Sequence, residues 1–164
     1  ELPIIAAVNG TAAGMGAHLA FACDLVIAAE GTKFIEVFSR RGLVVDALGA
    51  YLLPRTIGLH KAKELVLFAD DLPVAEAERL GLVNKVVPRD ELAATAGEWA
   101  GRLASGPTKA LGRSKWLLNQ SFDVDRATMM SNESLAVELN THSEDFAEGM
   151  ASFRERRDPV WSGY

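Results

Sequence analysis

Apolar residues first run together at Ile4–Val8, which predicts a short buried strand, and the run breaks at Asn9-Gly10. A string of alanines and glycines follows, and helical spacing then runs from about Gly14 to Cys23, with Asp24 at its end. Leu25–Ala29 reads as a second buried strand, and Thr32–Val37 as a third after the Glu30-Gly31 turn. From Asp46 the pattern turns helical. Ala47–Ile57 carries Leu48, Tyr51, Leu52 and Leu53 and stops at Gly58. Two shorter helices follow at 60–69 and 74–80, the second after Asp71-Leu72-Pro73, then a brief strand within 81–88. Asp90 is placed to cap a long helix reaching about Ala104. The last third is helical: Thr108–Asn119, a helix opened by Asp123 or Asp125, and a final one with Ser143 as N-cap. Phe146, Met150 and Phe153 stand at i, i+4 and i+7 on one face of that last helix, and the first two are expected to be core residues.

The 164 residues suffice for one substantial core, with an expected division into a β-containing part at 1–88 and a helical part at 89–164. No apolar run approaches the ~20 residues of a membrane helix. A net charge of −5 argues against non-specific nucleic-acid binding. One cysteine excludes an internal disulfide framework, and a reducing, cytoplasmic setting is expected. Cys23 has no motif partner for nucleophilic work and is expected to be buried. Clustered metal ligands are too few for a structural zinc site. The chain lacks an initiator Met and enters a strand almost at once, so it is expected to be a piece whose preceding half is absent.

Chemistry concentrates in Asn9–Asp24. Small residues ahead of a helix let a ligand approach backbone N–H groups at the helix N-terminus, or let helix and strand pack closely. A dinucleotide fingerprint is excluded, because Leu19 replaces its third glycine and Asp24 comes too early for a ribose contact.

Several segments in order resemble the enoyl-CoA hydratase/isomerase (crotonase) superfamily. They are Ile4–Gly10, Gly14-Met15-Gly16, Ala22–Leu25, Phe34, Phe38–Asp46, Leu53-Pro54-Arg55, Ala75–Asn84 and Glu148–Phe153. The resemblance implies an α/β fold, the later part of a ββα spiral, followed by C-terminal helices that drive assembly into a homotrimer or hexamer. It implies acyl-CoA substrates of fatty-acid metabolism, with coenzyme A as part of the substrate and no separate cofactor or metal. It places one oxyanion donor on the Met15 backbone N–H, flanked by Gly14 and Gly16. Such a donor is worth about 3–4 kcal/mol in the transition state. The other donor is implied to come from a preceding Ala-Gly-x-Asp-type loop that the chain does not contain.

Hydratases of this family use two glutamates, and their positions hold His18 and Phe38 here. Glu36 is offset by two residues, about 6–7 Å along a strand, and is expected to be solvated or ion-paired. Asp46 stands where the family's isomerases carry a proton-shuttling aspartate. Set among Leu43, Val44, Val45 and Leu48, it is expected in an apolar enclosure that favours its protonated form. The plainer reading makes it the N-cap of the helix from Ala47. His18 is expected either to line the acyl pocket or to be a satisfied core residue, and Phe38 to shape the pocket. Phe153 with Arg156 resembles the family element that lies near the coenzyme of a neighbouring subunit. Arg40, Arg41 and Arg55 are candidates for coenzyme A phosphates or plain surface charges. The reading favoured is enoyl-CoA double-bond isomerisation through Asp46. The alternatives are a hydratase with an altered site, Asp46 as a nucleophile, and a non-catalytic acyl-CoA-binding protein.

Overall fold

A computed structural model describes all residues, 1–164. Its contacts divide the chain into two units: one holds Ile4–Glu98, the other Glu1–Pro3 with Trp99–Tyr164. Against the boundary expected at 88/89, the division falls within a helix. The N-terminal half of that helix carries its buried residues, Leu92 and Thr95.

The first unit is built on strand β3 (Leu25–Ala29), which pairs in parallel with β1 (Ile5–Val8) on one side and β6 (Lys85–Val87) on the other. A parallel strand with neighbours on both sides needs apolar residues on both faces. Ile27, Ala28 and Ala29 are accordingly fully buried. Side chains fix the strand starts: Asp24 accepts from the Ile4 N–H at 2.6 Å, and Asn84 Oδ1 accepts from the Val26 N–H at 2.7 Å. A second small sheet joins β2 (Ala12–Ala13) in parallel to β4 (Lys33–Ile35), and β4 in antiparallel to β5 (Asp71–Pro73). β5 was expected to be a connection. Three residues are too few to show a period, and Pro73 is tolerated because β5 is an edge strand.

Helix α1 (Met15–Phe21) lies between β2 and β3 in the chain. α2 (Gly49–Ile57) and α3 (Leu59–Phe68) precede β5, and α4 (Val74–Arg79) follows it. Ala17, Phe34, Leu53, Leu65, Leu72, Val74 and Leu82 belong to one buried cluster, with Phe21 packed against it at 4.8 Å from the Phe34 ring. Cys23 is half-buried rather than buried, its thiol donating to the Leu19 carbonyl.

The helical unit takes the rest of α5 (Leu92–Ala104), with α6 (Thr108–Asn119), α7 (Arg126–Thr141) and α8 (Glu144–Glu155). Asp125, not Asp123, caps α7, accepting from the Ala127 and Thr128 N–H groups, and Ser143 caps α8 through the Phe146 N–H. The expected core residues of α8 are not buried: Phe146 is 38% and Met150 48% exposed, and Phe153 on the same face is 80% exposed. The buried residues of this helix are Asp145 and Ser152. The apolar spacing identifies a face that the chain covers only in part, Phe146 lying beside Leu117 and Ala136 while Phe153 stays exposed. No helix is long and apolar enough to cross a membrane.

Candidate active site

The glycine-rich turn begins with Gly14, whose φ of 53° and ψ of −125° suit only a residue without Cβ. Its N–H donates to the Ile35 carbonyl at 2.9 Å, tying the start of α1 to β4. A Cβ there would stand 3.2 Å from Val37 Cγ2 and 3.4 Å from Phe38 Cζ, so close packing is one visible reason for this glycine. The Gly14 carbonyl accepts from the Ala17 and His18 N–H groups. Met15 and Gly16 then supply the first two N–H groups of α1, which have no carbonyl within the helix to bond. The Met15 side chain is exposed, and open space surrounds the place of a Cβ at Gly16.

His18 sits one turn into α1 and is completely buried. Its Nε2 lies 2.8 Å from Oε2 of Glu36, itself only 4% exposed. One face of the ring stacks on Phe38, with centroids 5.4 Å apart and planes 16° from parallel. Gly49 also presses on the ring, so closely that a Cβ at that position would overlap Cε1 and Nε2. Nδ1 has no partner at full hydrogen-bond geometry, although the Asp46 backbone carbonyl acts on the ring as an acceptor. Burial opposes protonation of the ring. The Glu36 hydrogen bond and charge, joined by the Asp46 carbonyl and carboxylate, outweigh it and raise the His18 pKa above 6.5.

These contacts choose between the expected alternatives: His18 is a core residue and Glu36 an ion-paired one. His18 offers no atom to an acyl pocket, and Phe38 is 6% exposed and serves as its stacking partner. Glu36 is ion-paired but not solvated. The α1 pattern carried a signal for this pair. His18 falls beside Ala17 on the inward stripe, where a polar ring needs a partner, and Glu36 is the only charged residue in 34–39.

Asp46 precedes α2 and does not cap it through its side chain. The helix starts at Gly49, after Ala47 and Leu48 adopt left-handed φ values of 44° and 66°. Such conformations cost roughly 1–2 kcal/mol per non-glycine residue. The Asp46 carbonyl accepts from the Gly49 N–H at 2.9 Å and closes this turn. The expected apolar enclosure is not formed either. Leu43, Val44 and Leu48 are 62–82% exposed, and the Asp46 side chain is exposed with them. Phe153 belongs to the helical unit, near the end of α8. Of the candidate phosphate ligands, Arg40 bonds Asp71, and Arg55 lies 3.6 Å over the Tyr51 ring.

The site is thus a glycine turn opening a short helix beside the buried His18–Glu36 pair, set in a parallel-sheet α/β unit. The sequence matches the enoyl-CoA hydratase/isomerase family over residues 1–164, and the chain belongs to that family. It is 39% identical over 161 residues to 1,2-epoxyphenylacetyl-CoA isomerase of Escherichia coli K12, covering 98% of this chain and 62% of that protein. It is 41% identical over 157 residues to crotonyl-CoA hydratase of Syntrophomonas wolfei, covering 96% and 60%. Superposition on the crystal structure of an enoyl-CoA hydratase from Bacillus anthracis gives a TM-score of 0.93 at 36% identity, covering 99% of this chain and 63% of that one. The chain thus spans about three-fifths of the length of these relatives.

Proposed function

We propose that the protein isomerises the double bond of an enoyl-CoA thioester, with Asp46 moving the proton and the Met15 N–H binding the thioester oxygen. One observation carries this reading. Asp46 is an exposed carboxylate on the turn whose Gly49 packs against His18 in α1, the helix that Met15 begins, while Glu36 is buried and committed to His18. The two positions that hold glutamates in hydratases carry buried His18 and Phe38, so neither position supplies a carboxylate for activating water.

In the reaction Asp46 takes the proton from the carbon next to the thioester carbonyl. The C–H electron pair forms a double bond to the carbonyl carbon and the carbonyl π pair moves onto oxygen, giving a dienolate conjugated with the existing double bond. Asp46 returns the proton at the far end of that system, so the double bond moves into conjugation with the thioester and no atom is gained or lost. Developing negative charge on oxygen is met by the Met15 N–H and the positive end of α1. Coenzyme A enters as part of the substrate. The exposed apolar residues of α7 and α8, Phe146, Met150 and Phe153 among them, support assembly into a trimer or hexamer.

The test incubates the full-length protein with 3-enoyl-CoA and 2-enoyl-CoA substrates in ¹⁸O-water. A shifted double bond without label is expected. A labelled β-hydroxyacyl product overturns the isomerase reading in favour of a hydratase, and tight binding without turnover overturns it in favour of a binding protein.

A further inference from the structure

The buried His18–Glu36 pair has no part in the proton transfer just described, yet it is packed against the turn that carries Asp46. We propose that His18, held by Glu36, is the positioning residue for Asp46: its ring bridges the Glu36 carboxylate and the Asp46 backbone carbonyl and thereby fixes the Asp46–Gly49 turn. This inference rests on the isomerase reading for its catalytic consequence, though not for its structural one.

Three features converge on it. Glu36 fixes the ring from the end of β4 through a 2.8 Å bond to Nε2. Phe38 supports one face, and Gly49 touches the ring so closely that no side chain is possible there. The turn itself is strained by left-handed φ at Ala47 and Leu48, so it needs an external hold to keep one conformation. The charged groups acting on the ring are Glu36 from β4 and Asp46 from the turn before α2.

Protonation decides whether the bridge exists. Imidazolium donates from both nitrogens: Nε2–H meets Glu36, and Nδ1, otherwise unpartnered, gains a hydrogen for the Asp46 carbonyl to accept. A neutral ring that keeps Nε2–H for Glu36 presents an Nδ1 lone pair to that carbonyl. Two acceptors then oppose each other in a site without water access, and the turn loosens. The Asp46 carboxylate loses its fixed direction, and misplacement on the order of 1 Å costs about 10²-fold in rate.

The experiment compares the full-length protein with Glu36→Gln, which keeps the shape of the side chain and removes its charge. Three quantities are followed against pH: the His18 titration by NMR, the protection factor of the Gly49 amide, and kcat on an enoyl-CoA. In the unaltered protein, Gly49 protection and kcat are expected to fall together as His18 loses its proton. In Glu36→Gln all three transitions should move to lower pH by about one to two units. A Gly49 amide whose protection ignores the His18 titration overturns the proposal. So does a Glu36→Gln variant that folds and keeps the titration and the basic limb of kcat in place. Coupled His18 and Gly49 transitions without turnover of any enoyl-CoA support the hold on the turn and overturn the isomerase reading instead.

Discussion

Gly49 and the His18 ring occupy adjoining space with no room between them, and this contact joins the first turns of α1 to the turn that carries Asp46. Glycine is needed at 49 for closeness. The adjacent residues that take left-handed φ are Ala47 and Leu48, so the conformational oddity and the steric need fall on different positions. The arrangement makes the Asp46 segment dependent on a buried ring that never meets solvent.

Gly49→Ala tests that dependence directly. The ring cannot swing aside, because Glu36 holds Nε2 and Phe38 backs its face. Overpacking of this kind is expected to cost about 1–3 kcal/mol in urea unfolding. Loss of the proposed isomerase activity should exceed what that destabilisation explains. A variant as stable as the parent would mean that the contact is looser than the structure shows.

The raised His18 pKa also makes stability depend on pH. A group whose folded value lies above its unfolded value of about 6.5 binds its proton more tightly in the folded state. Its contribution is fully present below pH ~6.5 and is lost as pH rises through the folded value. The stability gap between the parent and Glu36→Gln should therefore be largest in mildly acidic solution and shrink as pH rises above 6.5. Urea midpoints measured across that range check the sign, and a gap that widens with pH contradicts the protonated pair.

Asp46→Asn removes the proposed base with little change of shape. The side chain is exposed and caps no helix, so unfolding free energy should change by no more than about 0.5 kcal/mol. Double-bond migration should fall by about 10²–10⁴-fold, the usual scale for a general base. Activity retained in the folded variant would assign the proton transfer elsewhere.

How far the sequence disclosed this site depends on what each residue needs. The strands at Ile4–Val8 and Leu25–Ala29, the cap Ser143 and the choice of Asp123 or Asp125 as a cap were legible because period and capping chemistry are local, although only the second strand is buried and the first is half-buried with Ile4 exposed. The strand Asp71–Pro73 was not, since its pairing with β4 is a tertiary fact. Asp46 was legible as a candidate only through the family resemblance, and its surroundings were misjudged. Apolar neighbours in sequence do not enclose a residue on an exposed turn. The facing of Glu36 was not legible, because the residues at and after the end of β4 do not alternate: Phe34, Ile35 and Glu36 are all buried, and the α1 pattern alone pointed to a partner for His18. Phe146 and Met150 failed as core residues for the opposite reason, standing on a genuine apolar face whose cover is supplied only in part within this chain.

The buried face of α8 leads to the last prediction. Asp145, 3% exposed, accepts from the Ser162 N–H at 2.7 Å, the Ser162 hydroxyl at 3.3 Å and the Gly163 N–H at 3.1 Å. Its own N–H donates to the Tyr164 carbonyl at 3.0 Å, so the C-terminal residues are clasped to the first turn of α8. Asp145→Ala leaves the Ser162 and Gly163 donors unpaired and should cost about 1–3 kcal/mol locally. Hydrogen exchange of the Ser162 and Gly163 amides should accelerate by about tenfold or more, the rate equivalent of 1.4 kcal/mol. Amides of β3, in the other unit, should be unaffected. Unchanged exchange at 162 and 163 would show that the tail is held by something other than this carboxylate.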